Sequence, residues 1–323
     1  MLITLSCILG GLLILVYGAD RFLDGAMGTA AYFGLSPMLC GIFIVGLATS
    51  MPEAVVSASA AIAGKPILGV ANALGSNIAN IGLVLGLTML IPATRLRVPP
   101  LGRDLFLMLG SLLAVLLVLW DLELSLKDGI FLLCLLVAVL LFMNYGRSAN
   151  PNYKFDALNN KYHHQPKYRK LRVLFIGLIL LVVGSKLLVF GAVELATRLG
   201  ISEAVIGLTI VAVGTSLPEL ATSLISVMKG ESEIAVGNII GSNIFNSLGV
   251  LAMPALLSPA FSMPLEILYR DVFCMLLISI LLIIILLARK AKGFLTRANG
   301  FLLVLTFVTY QFLLFKGNSI SFV

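Results

Sequence analysis

Long, uninterrupted apolar stretches constrain this chain more than any other feature of its sequence. Of its 323 residues, 60% are hydrophobic and 11% are charged, whereas a soluble domain carries roughly a quarter charged residues. A stretch of about 20 apolar residues can cross a membrane as a helix, and continuous runs do not fit the alternating strands of a membrane barrel. The sequence therefore predicts an all-α integral membrane protein and argues against a nucleic-acid binder, despite a net charge of +7.

Glycine, proline and charged residues divide the apolar stretches into ten predicted transmembrane helices. Ten spans use about 200 residues, which leaves no room for a soluble regulatory domain. The predicted organisation is a five-helix unit over 1–146, a connecting loop over 147–170 and a second five-helix unit over 171–323. The predicted helices are 2–31, 35–63, 66–92, 104–121, 126–146, 171–198, 201–228, 233–257, 266–288 and 296–315.

Lysine and arginine are distributed unevenly over the connections between these helices. Fifteen follow the third, fifth, seventh and ninth predicted helices, and five lie on the opposite side. Basic residues favour the cytoplasmic side, so we expect a multi-pass protein of the cell (inner) membrane, with a cytoplasmic 147–170 loop and both termini outside the cytoplasm. Within the first helix, we expect Asp20, Arg21 and Asp24 to pair with one another, and a gating role is the alternative.

An internal repeat becomes visible when the sequence is shifted by 166 residues. Gly34 to Pro92 then aligns with Gly200 to Ser258 without a gap, and about 21 of the 59 positions are identical. A unit of five helices is odd in number, so the second copy must enter the membrane from the opposite side. We therefore predict two inverted five-helix repeats, an arrangement typical of transporters that expose a central site alternately to each side.

Two glutamates lie inside predicted membrane helices at matching positions of the repeat. Glu53 and Glu219 each follow a Thr-Ser-X-Pro segment, and an acid at that depth is costly unless it has a partner or a function. The proline of each segment is expected to bend its helix and release backbone carbonyls around Thr49 and Thr215. Freed carbonyls and carboxylates are cation ligands.

The helix after each glutamate carries a polar stripe at intervals of four residues. Amide and hydroxyl groups in these stripes, together with the two acids, form an all-oxygen set that suits Ca2+, Na+ or Mg2+ and disfavours Zn2+ or Cu+. The alternative is that the stripes are interhelical hydrogen-bonding residues and the glutamates are protonated. The stripes are Asn72, Ser76 and Asn80 in the first unit, and Asn238, Ser242 and Asn246 in the second.

At these residues the sequence resembles the sodium/calcium exchanger group of the cation/calcium antiporter superfamily, in its prokaryotic form. The segments that carry the resemblance are 41–53 (GIFIVGLATSMPE) with 75–80 (GSNIAN), and 213–219 (VGTSLPE) with 241–246 (GSNIFN). The resemblance implies ten helices in two inverted halves, a site formed by helices 2, 3, 7 and 8, and long helices 1 and 6 that slide across this core.

The resemblance also implies roles for individual side chains. Glu53 and Glu219 would be the central ligands for Ca2+ and Na+, and Asn80 and Asn246 would complete the middle of the site. Some exchangers have Asp at the position of Asn246, so this chain lacks a third carboxylate. Flanking Na+ positions would be lined by Ser50, Ser216, Ser76 and Ser242, and backbone carbonyls would come from Gly46, Thr49, Ala212 and Thr215.

The function predicted from these residues is secondary antiport of Ca2+ against Na+, without covalent chemistry, cofactor or enzymatic activity. The partners expected are the two ions and the lipid bilayer. A proton- or potassium-coupled cation antiporter on the same fold is the nearest alternative, because a buried glutamate can carry a proton. A multidrug or metabolite exporter would need a roomy aromatic cavity, and a channel would conduct without coupling.

Overall fold

The computed structural model describes residues 2–91, 102–144, 166–200, 212–288 and 296–320, and these are nearly all helical. We number the helical segments in chain order and join pieces that follow one another directly. They are α1 (Leu2–Phe33), α2 (Pro37–Ile62), α3 (Pro66–Leu90), α4 (Gly102–Val118), α5 (Leu126–Asn144), α6 (Lys167–Arg198), α7 (Ala212–Thr215 and Leu217–Met228), α8 (Ser232–Leu257), α9 (Ile267–Ala288) and α10 (Arg297–Ile320).

Eight of these segments are long and apolar enough to cross a membrane, which establishes a multi-pass helical membrane protein. The other two are α4, with 17 residues, and α7, whose longer piece has 12. Seventeen residues span about 26 Å at 1.5 Å per residue. Part of the predicted seventh helix, 201–211, lies outside the described residues. Helix α6 begins at Lys167, directly after the extended Pro166, and thus four residues earlier than predicted.

The sequence repeat is also a repeat of backbone conformation. α2 and α7 are both interrupted at a serine, with φ −85° and ψ 1° at Ser50 and φ −89° and ψ 6° at Ser216. The prolines two residues later do not bend the helices as predicted. They lie within the first two positions of the following helical piece, where a missing N–H breaks no hydrogen bond.

Helices α1 and α6 pack backbone against backbone along glycines spaced seven residues apart. A Cβ added at Gly11 would lie 2.5 Å from the backbone nitrogen of Leu188, and one at Gly18 would lie 2.6 Å from that of Leu181. The partner number falls as the residue number rises, so the two helices are antiparallel. The glycines are Gly11, Gly18 and Gly25 in α1, and Gly177, Gly184 and Gly191 in α6.

Helices α2 and α8 approach equally closely but run parallel. A Cβ at Gly237 would lie 2.5 Å from the carbonyl oxygen of Met38, and one at Gly241 would lie 2.5 Å from that of Ile42. Because α3 follows α2 after a short turn and reverses direction, α8 is antiparallel to α3, its counterpart in the repeat. Both counterpart pairs, α1 with α6 and α3 with α8, therefore run in opposite directions.

Two contacts between distant parts of the chain complete the described fold. Glu123–Leu124 (β1) pairs antiparallel with Phe261–Ser262 (β2), which joins the connection after α4 to the one after α8. Lys229, after α7, lies 2.8 Å from Asp20 and 2.9 Å from Asp24 of α1. The prediction that the α1 charges pair among themselves is therefore incomplete, because Arg21 is 4.0 Å from Asp20 while Lys229 contacts both acids.

Candidate cation site

The predicted polar residues meet at the centre of the molecule, where α2, α3, α7 and α8 pack together. Glu53 and Asn80 are each 1% exposed, and Glu219 and Asn246 are fully buried. Thr49, Ser50, Ser76, Ser216 and Ser242 are buried as well, and Thr215 is half-buried. This is a concentration of polar groups in an otherwise apolar interior, and such groups need partners or a function.

The helix interruptions determine where the acids lie. Glu53 and Glu219 occupy the first turn of the helical piece that follows each broken serine. The amino end of a helix carries partial positive charge, which favours an anion there. On the neighbouring helices, a π-helical turn begins at Asn80 and at Asn246, and π turns are frequent at functional sites.

Each glutamate backbone is held by an asparagine of the next helix. Asn72 donates from Nδ2 to the Glu53 carbonyl oxygen at 3.1 Å and to Ser57 Oγ at 2.9 Å. In the second unit, Asn238 donates to the Glu219 carbonyl at 3.3 Å and to Ser223 Oγ at 2.9 Å. These asparagines therefore position the acids, and their serine partners were missed by sequence reasoning even though Ser57 and Ser223 match at the offset of 166.

Side chains of the two units are in direct contact at the site. Ser50 Oγ donates to Glu219 Oε1 at 3.4 Å, and Thr49 Oγ1 donates to Asn238 Oδ1 at 3.2 Å. Ser242 Oγ donates to the Gly46 carbonyl at 3.2 Å. The predicted meeting of α2 with α7 and α8 is therefore present.

The reciprocal contacts differ. Ser216 Oγ does not donate to Glu53, and within the described part of the chain neither group has a hydrogen-bond partner. Of Ala212 the structure describes only its place at the start of α7, so its relation to Ser76 lies outside what can be stated.

Several buried oxygen atoms at this centre have no hydrogen-bond partner among the described residues. They are Glu53 Oε1 and Oε2, Glu219 Oε2, Asn80 Oδ1, Asn246 Oδ1 and Ser216 Oγ. A buried polar group without a partner costs about 1–3 kcal/mol, so their concentration points to a bound species. Among the described residues, no cluster of three or more His, Cys, Asp or Glu side chains exists, so the donors are two carboxylates with amide and hydroxyl oxygens.

Comparison with known proteins identifies the family. The model of the sodium/calcium exchanger protein family matches residues 3–145 and 170–316. The chain belongs to the sodium/calcium exchanger family. The exchanger is therefore a transmembrane ion antiporter rather than an enzyme, as its resemblance to the cation/calcium antiporters predicted.

Individual relatives extend over almost the whole exchanger. The putative antiporter CaxA of Alkalimonas amylolytica is 40% identical over 323 residues, covering 98% of this chain and 100% of CaxA. The inner membrane protein YrbG of Escherichia coli is 40% identical over 320 residues, with 98% of each chain covered. A structure of the sodium-calcium exchanger NCX_Mj, soaked with 2.5 mM Na+ and 1 mM Sr2+, superimposes with a TM-score of 0.81 at 32% identity, covering 96% of this chain and 97% of that one.

Proposed function

We propose that this protein exchanges Ca2+ for Na+ across the membrane at the site between α2, α3, α7 and α8. The observation that carries the proposal is the pair of buried glutamates, one from each unit, with three of their four carboxylate oxygens free of hydrogen bonds among the described residues. Two carboxylates balance the charge of one Ca2+ or of two Na+ ions. Competition of the two ions for one charge-matched site is the physical basis of exchange.

The donor set suits these two ions. Ca2+ takes 6–8 oxygen ligands at about 2.3–2.6 Å in flexible geometry, and the unpartnered oxygens of Glu53, Glu219, Asn80 and Asn246 are of the required type. Flanking Na+ ions would use the hydroxyls of Ser50, Ser76, Ser216 and Ser242 with the carbonyls of Gly46, Thr49, Ala212 and Thr215. Of these, the Gly46 carbonyl already accepts a hydrogen bond from Ser242, so a Na+ ion there would replace or share it.

The same geometry supports alternating access by two inverted units, residues 1–146 and 171–323, joined by the 147–170 connection. The counterpart pairs α1 with α6 and α3 with α8 run in opposite directions, as inversion requires. The first halves of α2 and α8 are closed against each other at Gly237 and Gly241. By the distribution of basic residues these halves lie toward the cytoplasm, so we assign the structure to the outward-facing state of an inner-membrane protein.

Ion flux into proteoliposomes tests the proposal. Uptake of radiolabelled Ca2+ should follow an outward Na+ gradient and should persist when the pH gradient is collapsed and K+ is removed. Uptake that follows only the H+ or K+ gradient would instead establish the proton- or potassium-coupled alternative. Uptake that continues after every counter-ion has been removed would indicate a channel.

A further inference from the structure

A second group of polar side chains lies far from the glutamates, where the end of α1 meets the start of α6. A narrow recess there is bounded on one side by the last turns of α1 and on the other by the first turn of α6. Its lining residues are Thr29, Tyr32, Phe33, Lys167, Lys170 and Leu171. None of these residues contributes to the cation site.

Two ammonium groups face the recess without a carboxylate to balance them. Lys167 Nζ lies 4.9 Å from the ring centre of Tyr32, and Lys170 Nζ lies 5.9 Å from the same ring. Lys170 is only 6% exposed, yet among the described residues no ion pair involves either lysine. A cation–π contact is weaker than the hydration that a buried ammonium gives up, so this pair of charges favours an anion.

A hydrogen-bond donor and a helix end add to the same preference. Thr29 is 7% exposed, and its Oγ1 has no hydrogen-bond partner among the described residues. The recess also adjoins the first turn of α6, which begins at Lys167, and a helix amino terminus attracts anions. Two cations, a free hydroxyl and a helix dipole therefore converge on one small volume, which is the chemistry that recognises a phosphate group.

The surroundings of the recess indicate where the phosphate comes from. Tyr32, Phe33 and Tyr168 are 51%, 60% and 74% exposed, and exposed aromatic residues at a helix end are typical of the membrane–water interface. Basic residues at that depth attract anionic lipids. We propose that this recess binds the phosphate of an anionic phospholipid, held by Lys167, Lys170 and Thr29 across the α1–α6 pair.

The site belongs to one end of the pair only. At the offset of 166 residues, Thr29 corresponds to Leu195 and Lys170 corresponds to Thr4. The opposite end of the pair therefore lacks the hydroxyl and the buried ammonium at the equivalent places. We expect one such lipid per chain, on the side to which 147–170 connects.

Native mass spectrometry of the purified full-length protein in neutral detergent tests the proposal with phosphatidylglycerol, phosphatidylcholine and inorganic phosphate as probes. The protein should retain phosphatidylglycerol in preference to phosphatidylcholine. The double variant K167Q/K170Q should lower that retention by about tenfold, since each basic residue contributes to attraction of anionic lipid. The matched control R169Q/R172Q changes the same charge on exposed residues of the same turns and should retain the lipid.

Thr29→Val keeps the shape of the side chain and removes only a hydroxyl without a partner, so it should leave the melting temperature unchanged while weakening lipid retention. Equal losses in both double variants would overturn the proposal in favour of diffuse attraction, and so would the absence of any preference for phosphatidylglycerol. Displacement of the lipid by millimolar inorganic phosphate would overturn the lipid as the source.

Discussion

The first half of α3 and the first half of α8 carry the same polar motif but lie in different surroundings. Ala71 is exposed and Asn72 is half-buried, whereas their counterparts Gly237 and Asn238 are buried. A Cβ added at Gly75 would meet no described atom within 4 Å, whereas one at Gly241 would lie 2.5 Å from the Ile42 carbonyl. One half of the repeat is therefore open and the other is closed.

This difference extends to the acids. Glu219 accepts a hydrogen bond from Ser50, whereas Glu53 accepts none from Ser216 among the described residues. Two nearly identical motifs thus occupy two different states at the same time. The comparison teaches that the repeated residues specify the chemistry of the site, while the packing of α2 on α8 specifies which side is closed.

The largest expected effect comes from removing either acid. Glu53→Gln and Glu219→Gln should each lower Ca2+ exchange by more than about 100-fold, because removal of one charge from a buried, charge-matched group costs about 3–5 kcal/mol. Flux in proteoliposomes measures this. Glu194→Gln is the matched control, because Glu194 is exposed and pairs only with Arg198 in the same helix. Full exchange by both glutamine variants would remove these residues from the site.

The second prediction uses the glycines that distinguish the two halves. Gly241→Ala should destabilise the structure by about 1–3 kcal/mol, because the new methyl group is forced into the Ile42 carbonyl. Gly75→Ala, the same change at the counterpart position, should be neutral or slightly stabilising, since alanine favours a helix over glycine. Thermal unfolding in detergent compares the two variants. Equal melting temperatures would contradict the closed and open assignment.

Transport adds a second readout for this pair. In alternating access the two halves exchange surroundings, so Gly75→Ala should slow exchange although it leaves the melting temperature intact. Gly241→Ala should slow exchange as well, but by disfavouring the state described here. A Gly75→Ala exchanger with unaltered turnover would show that α3 never closes as α8 does.

The chemistry of the site could be predicted from the sequence because it depends on residue type and spacing. A glutamate at membrane depth is costly wherever it occurs, and the offset of 166 residues identified its partner in the other unit. The same argument could have identified Ser57 and Ser223. By contrast, the site of the helix interruption was predicted at proline and occurs at Ser50 and Ser216, because proline fits the first turn of the following helix.

The open and closed halves could not be predicted from the sequence. Both conformations of an inverted repeat use the same residues, so a pattern within one unit contains no information about which unit is packed. The ion pairs of Lys229 escaped prediction for a different reason. Lys229 and Asp20 are 209 residues apart, and neither helical spacing nor the repeat connects them, since the counterpart of Lys229 is Ala63.

A third prediction sharpens the comparison by chemical labelling. In a variant that lacks Cys7, Cys40, Cys134 and Cys274, a single Ala71→Cys should react with a membrane-impermeant thiol reagent applied from outside, because this position is exposed. Ala235→Cys, at a fully buried position of α8, should react about tenfold more slowly or not at all. Labelling of Ala71→Cys only from the cytoplasmic side would reverse the assigned orientation.

The smallest expected effect concerns Lys229, which ties α1 to the closed half without a counterpart in the open half. Its ammonium lies within 3 Å of Asp20 and Asp24, and its side chain is 25% exposed. Because partly exposed ion pairs contribute about 1 kcal/mol, Lys229→Gln should shift the balance between the two states by about fivefold toward the opposite one. Labelling of Ala71→Cys should slow accordingly, with the exposed Lys65→Gln as control. An unchanged rate would mean that these ion pairs stabilise both states equally, and then the closure of α8 would depend on its glycine contacts with α2 alone.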